Sequence, residues 1–205
     1  MPAENSATSR TAKIERKTSE TDIKLTISLD GTGVYDVDTG NGFLDHMVSQ
    51  ISRHGLIDID LKAKGDINVG WHHLVEDVAI TLGRAFNEAL GDARGIRRMG
   101  HAIVPLDETL AMVALDCSGR GYAVIDTTLD DIMVETLPGA LVKHFLEAFA
   151  LEGKINLHAQ IMAGVSPHHK AEALCKALAR SLRDALEPDP RSPSDIPSTK
   201  GTLSG

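Results

Sequence analysis

Two copies of the pattern His-His-x-x-Glu stand in this chain, at His72-His73-Leu74-Val75-Glu76 and at His168-His169-Lys170-Ala171-Glu172. On a helix the first histidine and the glutamate of each set are one turn apart and share a face. The second histidine points about 100° round from the first. One turn can therefore serve two metal ions, or bridge an ion and a substrate. Imidazole with carboxylate is a borderline donor set, suited to manganese, iron, cobalt or zinc. A single set would be a weak signal, because adjacent histidines are commonly surface or core-edge residues. Duplication changes that, since the ligand chemistry recurs while the residues around it differ. His46 and His144 hold matching places on the segment before each set, so six histidines and two glutamates form pseudo-symmetric pairs that point to a two-metal site. Of the nine histidines, His54, His101 and His158 have no twin. Hydrogen-bonded structural places are expected for His101 and His158.

The elements that must position these residues also occur twice. Period-two alternation predicts strands over 12–17, 23–29 and 33–37, and again over 100–104, 109–117 and 122–127, with Pro105 as a break. Apolar residues at three- and four-residue spacing predict helices over 42–55 and 140–153, a strand follows each, and long helices then run from His72 to Leu90 and from His168 to Leu186. Each half reads β-β-β-α-β-α, an α+β plan with helices gathered on one face of each sheet. The expected organisation is a flexible N-terminus over 1–11, a first half over 12–95, a second half over 96–186 and an extended tail over 187–205. Four prolines between Glu187 and Pro197 exclude a helix there, and composition alone favours disorder.

A chain of 205 residues with 42% hydrophobic and 24% charged residues has the makeup of a globular protein with a genuine core. The net charge of -8 argues against a nucleic-acid partner. An anionic substrate would instead need a few well-placed cations. Cys117 and Cys175 match no zinc spacing and lie in apolar stretches, so buried free thiols in a reducing compartment are expected. No secretory h-region and no membrane-length apolar run is visible, which makes the cytoplasm the expected location and a membrane partner unexpected.

Beyond these local readings, the ordered segments Arg16-Lys-Thr-Ser-Glu20-Thr, Gly42-Phe-Leu-Asp-His46-Met, Ser52-Arg-His54-Gly, Lys64-Gly-Asp, His72-His-Leu-Val-Glu76-Asp, Gly95-Ile-Arg-Arg98, Asp107-Glu, Ser118-Gly-Arg120, His168-His-Lys-Ala-Glu172-Ala and Pro197-Ser-Thr-Lys200-Gly resemble the imidazoleglycerol-phosphate dehydratases. The resemblance runs from Arg16 to Leu203. It implies two four-stranded sheets sandwiching the helices, and a shell of 24 subunits with active sites at subunit interfaces. It implies two manganese ions per active site, held by His46, His72, His73, Glu76, His144, His168, His169 and Glu172. It assigns the substrate, D-erythro-imidazole-glycerol phosphate, to Glu20, to the stretch that includes His46, Met47, Gln50 and His54, and to Arg98, Arg120, Ser198, Thr199 and Lys200. Glu20, His46, His73 and Glu172 are the catalytic candidates. The tail then becomes a substrate-contacting strap. Two departures from the family pattern stand just before the histidine pairs, Gly70-Trp71 and Ser166-Pro167.

The implied reaction is elimination of water to give imidazole acetol phosphate, a step in histidine biosynthesis. The carbon that loses its proton has no carbonyl beside it, so an enolate route is closed, and metal activation of the imidazole ring offers another. Arg98 and Arg120 suit phosphate because a guanidinium fork meets its oxygens bidentately. A two-metal hydrolase of a phosphorylated small molecule is the alternative. A metal-storage protein would leave Glu20, Arg98, Arg120 and Lys200 without a task.

Overall fold

Alternating side chains make β1 (Thr11–Lys17), β2 (Thr21–Ser28) and β4 (Asp58–Gly65) half-buried strands, with Ile23, Leu25, Ile27, Ile59, Leu61 and Ala63 turned inward. With the short β3 (Tyr35–Asp38) they form a sheet of order β1-β2-β4-β3, antiparallel except for the β3–β4 pair. The computed structural model describes residues 10–203. The second half repeats the plan with β5 (Met99–Leu106), β6 (Thr109–Asp116), β7 (Tyr122–Asp126) and β10 (Asn156–Ala163) in the order β5-β6-β10-β7, the last pair again parallel. In each half the parallel pair is joined through a helix, α1 (Gly42–Gly55) or α3 (Ala140–Glu152), as parallel strands require.

The long helices α2 (His72–Leu90) and α4 (Pro167–Leu186) follow β4 and β10. α1 and α2 lie on the first sheet and α3 and α4 on the second, and the two layers meet with α1 against α4 and α2 against α3. The helices are thus sandwiched between two sheets, the α+β duplication expected from the sequence. Phe86 of α2 and Phe149 of α3 pack edge to face at this contact, 5.8 Å between ring centroids. Gly83 permits the close approach: a Cβ there would stand 2.7 Å from the Phe149 carbonyl oxygen.

Several boundaries differ from the sequence expectations. β1 takes in Thr11, and Arg10 before it pairs with Asp30 and donates to the Leu186 carbonyl, so these two residues are ordered; the rest of the expected flexible segment lies outside the described residues. Pro105 lies inside β5 rather than breaking it, because β5 is an edge strand and can spare one N–H. A small hairpin, β8 (Met133–Val134) with β9 (Leu137–Pro138), stands between β7 and α3. It has no counterpart between β3 and α1.

The proline-rich tail is ordered through Leu203, contrary to its composition. Pro188 bridges to Ile96, Gly95 N–H donates to the Asp195 carbonyl at 2.9 Å, and Asp189 N–H donates to the Gly95 carbonyl at 2.8 Å. Leu203 packs on the core beside Gly119. Long-range backbone partners supply what a proline-rich segment cannot supply for itself. Cys117 and Cys175 are buried free thiols, and burial pushes both up to about 12.

Candidate active site

The duplication places a ligand set at the N-terminal end of each long helix, and the packing of the halves completes it. His46 of α1 meets His168 and Glu172 of α4: His46 Nε2 is 3.0 Å and His168 Nε2 is 3.1 Å from Glu172 Oε2. By the same exchange, His144 of α3 meets His72 and Glu76 of α2, with His144 Nε2 3.3 Å from Glu76 Oε1 and the two imidazoles stacked at 4.7 Å. In each triad the donor atoms lie within 4.8 Å of one another. Each triad therefore draws one histidine from one half and a His-x-x-x-Glu turn from the other. His144 Nε2 is buried and has no hydrogen-bond partner among the described residues, although it faces the triad. With the imidazole of His72 and the carboxylate of Glu76 it makes a donor set that could hold a divalent ion.

The second histidine of each pair turns away from these triads, as the 100° step between neighbours requires. His73 Nδ1 sits 3.1 Å from Asp66, with Glu20 at 3.9 Å, and the hydrogen bond with Asp66 raises its pKa above the ordinary imidazole value. His169 Nδ1 lies 2.8 Å from Glu108, which raises it in the same way. Glu108 also accepts from the backbone N–H groups of Ser166 and Val165, and these bonds with the His169 contact hold its carboxyl well below the usual range. Ser166 caps α4 by accepting from His169 N–H at 3.3 Å, with Pro167 in the first turn, so that departure is a sound helix start. Trp71 precedes α2 with no side-chain cap, and Gly70 has φ of 116°, a conformation suited to glycine.

On α1 the cap residue Asn41 accepts from Phe43 and Leu44 N–H, setting the phase of the helix. His46, Gln50 and His54 then form a ladder at four-residue spacing, Gln50 Oε1 lying 3.0 Å from His54 Nε2 and Gln50 Nε2 3.5 Å from His46 Nδ1. Met47 does not join them. Its side chain is fully buried, because the next position round the helix faces the core. His101 and His158 do not take the hydrogen-bonded structural places expected of them; both lie exposed on the outer face of the second sheet, without side-chain hydrogen bonds among the described residues.

Glu20 is exposed in the β1–β2 turn, where its N–H donates to Thr18 Oγ1 at 3.1 Å. Arg16 and Thr21, on either side of the turn, both bond the buried Asp77 of α2. Far from the triads, Arg98, Ser118, Arg120, Ser198, Thr199 and Lys200 line one cavity of about 580 Å³. Arg98 is fixed there by Asp116, at 2.6 and 2.8 Å, and donates to the Pro197 carbonyl at 2.7 Å, so it anchors the tail as well as offering charge.

A family description fits residues 39–182, that of imidazoleglycerol-phosphate dehydratase. The chain belongs to that family. The imidazoleglycerol-phosphate dehydratase of Dehalococcoides mccartyi (strain CBDB1) is 57% identical over 196 residues, covering 96% of this chain and 98% of that one. The dehydratase of Jannaschia sp. is 52% identical over 194 residues, 95% of this chain and 100% of its own. Among solved structures, the imidazoleglycerol-phosphate dehydratase of Staphylococcus aureus superposes with a TM-score of 0.79 at 31% identity, over 87% of this chain and 99% of that one. IGPD from Pyrococcus furiosus, in complex with (S)-C348, has the same TM-score of 0.79 at 33% identity, over 92% of this chain and 99% of its own.

Four residues around the imidazoleglycerol-phosphate dehydratase motifs carry contacts that the ligand pattern alone did not single out: Asp66, Glu108, Glu135 and Lys176. Lys176 Nζ is 2.6 Å from Glu172 Oε1; burial opposes ionisation of Glu172, but the bonds from Lys176 and His46 outweigh it and bring its pKa to about 2. Lys176 was findable as the residue one helical turn after Glu172. Asp66 and Glu108 lie in matched segments, whereas Glu135 leaves no local trace.

Proposed function

We propose that this chain eliminates water from D-erythro-imidazole-glycerol phosphate to give imidazole acetol phosphate, using two manganese ions per active site. The observation that carries this reading is the pair of His-His-Glu triads, related by the internal duplication, in a chain of this family. The donor sets fit such an ion: each offers two imidazoles and a carboxylate, and His144 Nε2 is unmatched. A bound metal pair supplies Lewis acidity to the imidazole ring of the substrate. Glu20, exposed beside His73, is the acid–base group for the diol. Gln50 and His54 extend the ligand ladder of α1 towards substrate. Arg98, Arg120 and Lys200 neutralise the phosphate, with Ser198 and Thr199 as hydroxyl partners.

Geometry supports active sites assembled from more than one subunit. Arg98 N–H donates to the Ala185 carbonyl near the C-terminal end of α4, while Glu172 lies near its start. The helical rise over that interval is roughly 20 Å. A small phosphorylated imidazole polyol cannot bridge the triad and the cation cavity of one chain, so the two serve it from different copies. His73 and His169, turned away from their own triads, are the natural fourth ligands for neighbouring ones. The outer face of the second sheet exposes Met99, Ile103, Tyr122, Val124 and Met162, where its twin carries Lys13, Lys24, Lys62 and Lys64; this asymmetry suits self-association into a 24-subunit shell. No helix among the described residues is long and apolar enough to cross a membrane.

The test is to strip the protein with a chelator, reload it with manganese, and analyse products from the phosphorylated imidazole polyol. The expected result is the ketone, metal-dependent and without release of free phosphate. Free phosphate as the product would overturn this in favour of a hydrolase.

A further inference from the structure

The two triads are related by the duplication, but their surroundings are not. The β8–β9 hairpin belongs to the second half alone, and its tip places Glu135 Oε1 3.0 Å from His168 Nδ1. Glu135 has φ of 52°, in the left-handed region that a long side chain rarely adopts. The hairpin holding it is firmly seated. Leu129, Val134 and Leu137 are buried beneath it, Lys170 of α4 donates to Thr128 Oγ1 at 3.0 Å, and Thr136 Oγ1 donates to Asn41 Oδ1 of the α1 cap at 3.4 Å. At the twin position, His72 Nδ1 has no carboxylate bonded to it among the described residues. The hairpin packing thus holds Glu135 in a left-handed conformation with its carboxylate on His168 Nδ1, a contact found in one half only among the described residues.

We propose that Glu135 is a positioning residue for His168. A carboxylate can only accept, so Glu135 keeps a proton on Nδ1 and fixes the ring plane, and Nε2, beside Glu172 and His46, is the nitrogen left to a metal ion. Carboxylate–imidazole pairs of this kind orient a ligand and raise its basicity. One of the two metal sites therefore carries a support that its twin lacks. This rests on the metal-pair reading above.

The experiment titrates the assembled, metal-stripped protein with manganese by calorimetry, for wild type, Glu135→Gly and Glu135→Gln, and records the melting temperature of each metal-free form. In Glu135→Gly one ion per subunit should bind roughly 10- to 100-fold more weakly while the other keeps its affinity. The metal-free melting temperature should hold or rise, because glycine accepts the left-handed backbone without strain. Glu135→Gln, whose amide oxygen can still accept from Nδ1, should recover part of the lost affinity. Both ions binding Glu135→Gly as they bind wild type would overturn the proposal alone. So would equal weakening of both ions with a lowered melting temperature, which marks a structural prop. A wild type that binds no manganese would instead sink the metal-pair reading, and this proposal with it.

Discussion

His73 and His169 hold a second ring proton more readily than a free imidazole, and a metal ion would have to displace that proton from Nε2. In the metal-free protein the bond from Nδ1 to its carboxylate partner, Asp66 or Glu108, is strongest when the ring is protonated, so its pKa is raised, whereas with Nε2 on a metal ion the neutral ring would keep that Nδ1–H bond. The gain from protonation is fully present below the ordinary imidazole value of about 6.5 and is lost as pH rises through the raised value. Metal ligation demands the neutral form. Acidification should therefore release manganese, beginning above the ordinary imidazole value of about 6.5 and continuing below it. Calorimetric titrations across that range check this, and affinity unchanged down to the acid end would contradict histidine ligation. Glu172 behaves differently, since its pKa of about 2 keeps it ionised throughout this range. The acid limit belongs to the imidazoles.

At the scale of elements, site geometry depends on how closely the helices approach. α2 and α3 carry the His72–Glu76–His144 triad across the Gly83–Phe149 contact. Gly83→Ala would push a methyl group against the Phe149 carbonyl and the Gly153 amide, both backbone atoms that cannot swing aside. We expect a loss of stability of about 1–3 kcal/mol. Manganese affinity should fall at this triad more than at the one joining α1 and α4. Thermal unfolding and metal titration measure the two effects. A variant that unfolds as wild type and binds both ions normally would show that the helix contact has slack.

Across the whole molecule the tail is the outlying part, tied to the body by the Gly95, Ile96 and Arg98 contacts and supplying one wall of the cation cavity. Removing residues after Ile196 should leave the fold and metal content nearly intact, because the sheets and helices that carry them end earlier. Turnover at low substrate should drop severely. Lys200→Ala should act in the same direction, raising KM more than it lowers the melting temperature. Binding of a bare imidazole or triazole, which has no phosphate, should barely change. Wild-type turnover by the truncated enzyme at low substrate would reduce the tail to a structural strap.

Local spacing was enough to read the duplication, the helices, the eight candidate ligands and the strands between them, because side-chain direction repeats every 3.6 residues on a helix and every two on a strand. It also announced that His72 and His73 must part company. Which histidine joins which glutamate was decided only by packing, since His46 finds Glu172 and His144 finds Glu76 through contacts between the halves. The burial of Met47, the order of the tail and the reach of Glu135 to His168 belong to the same class. Each depends on a partner far away in the chain, and no local period encodes the distance between two residues that meet only after the sheets have closed over the helices.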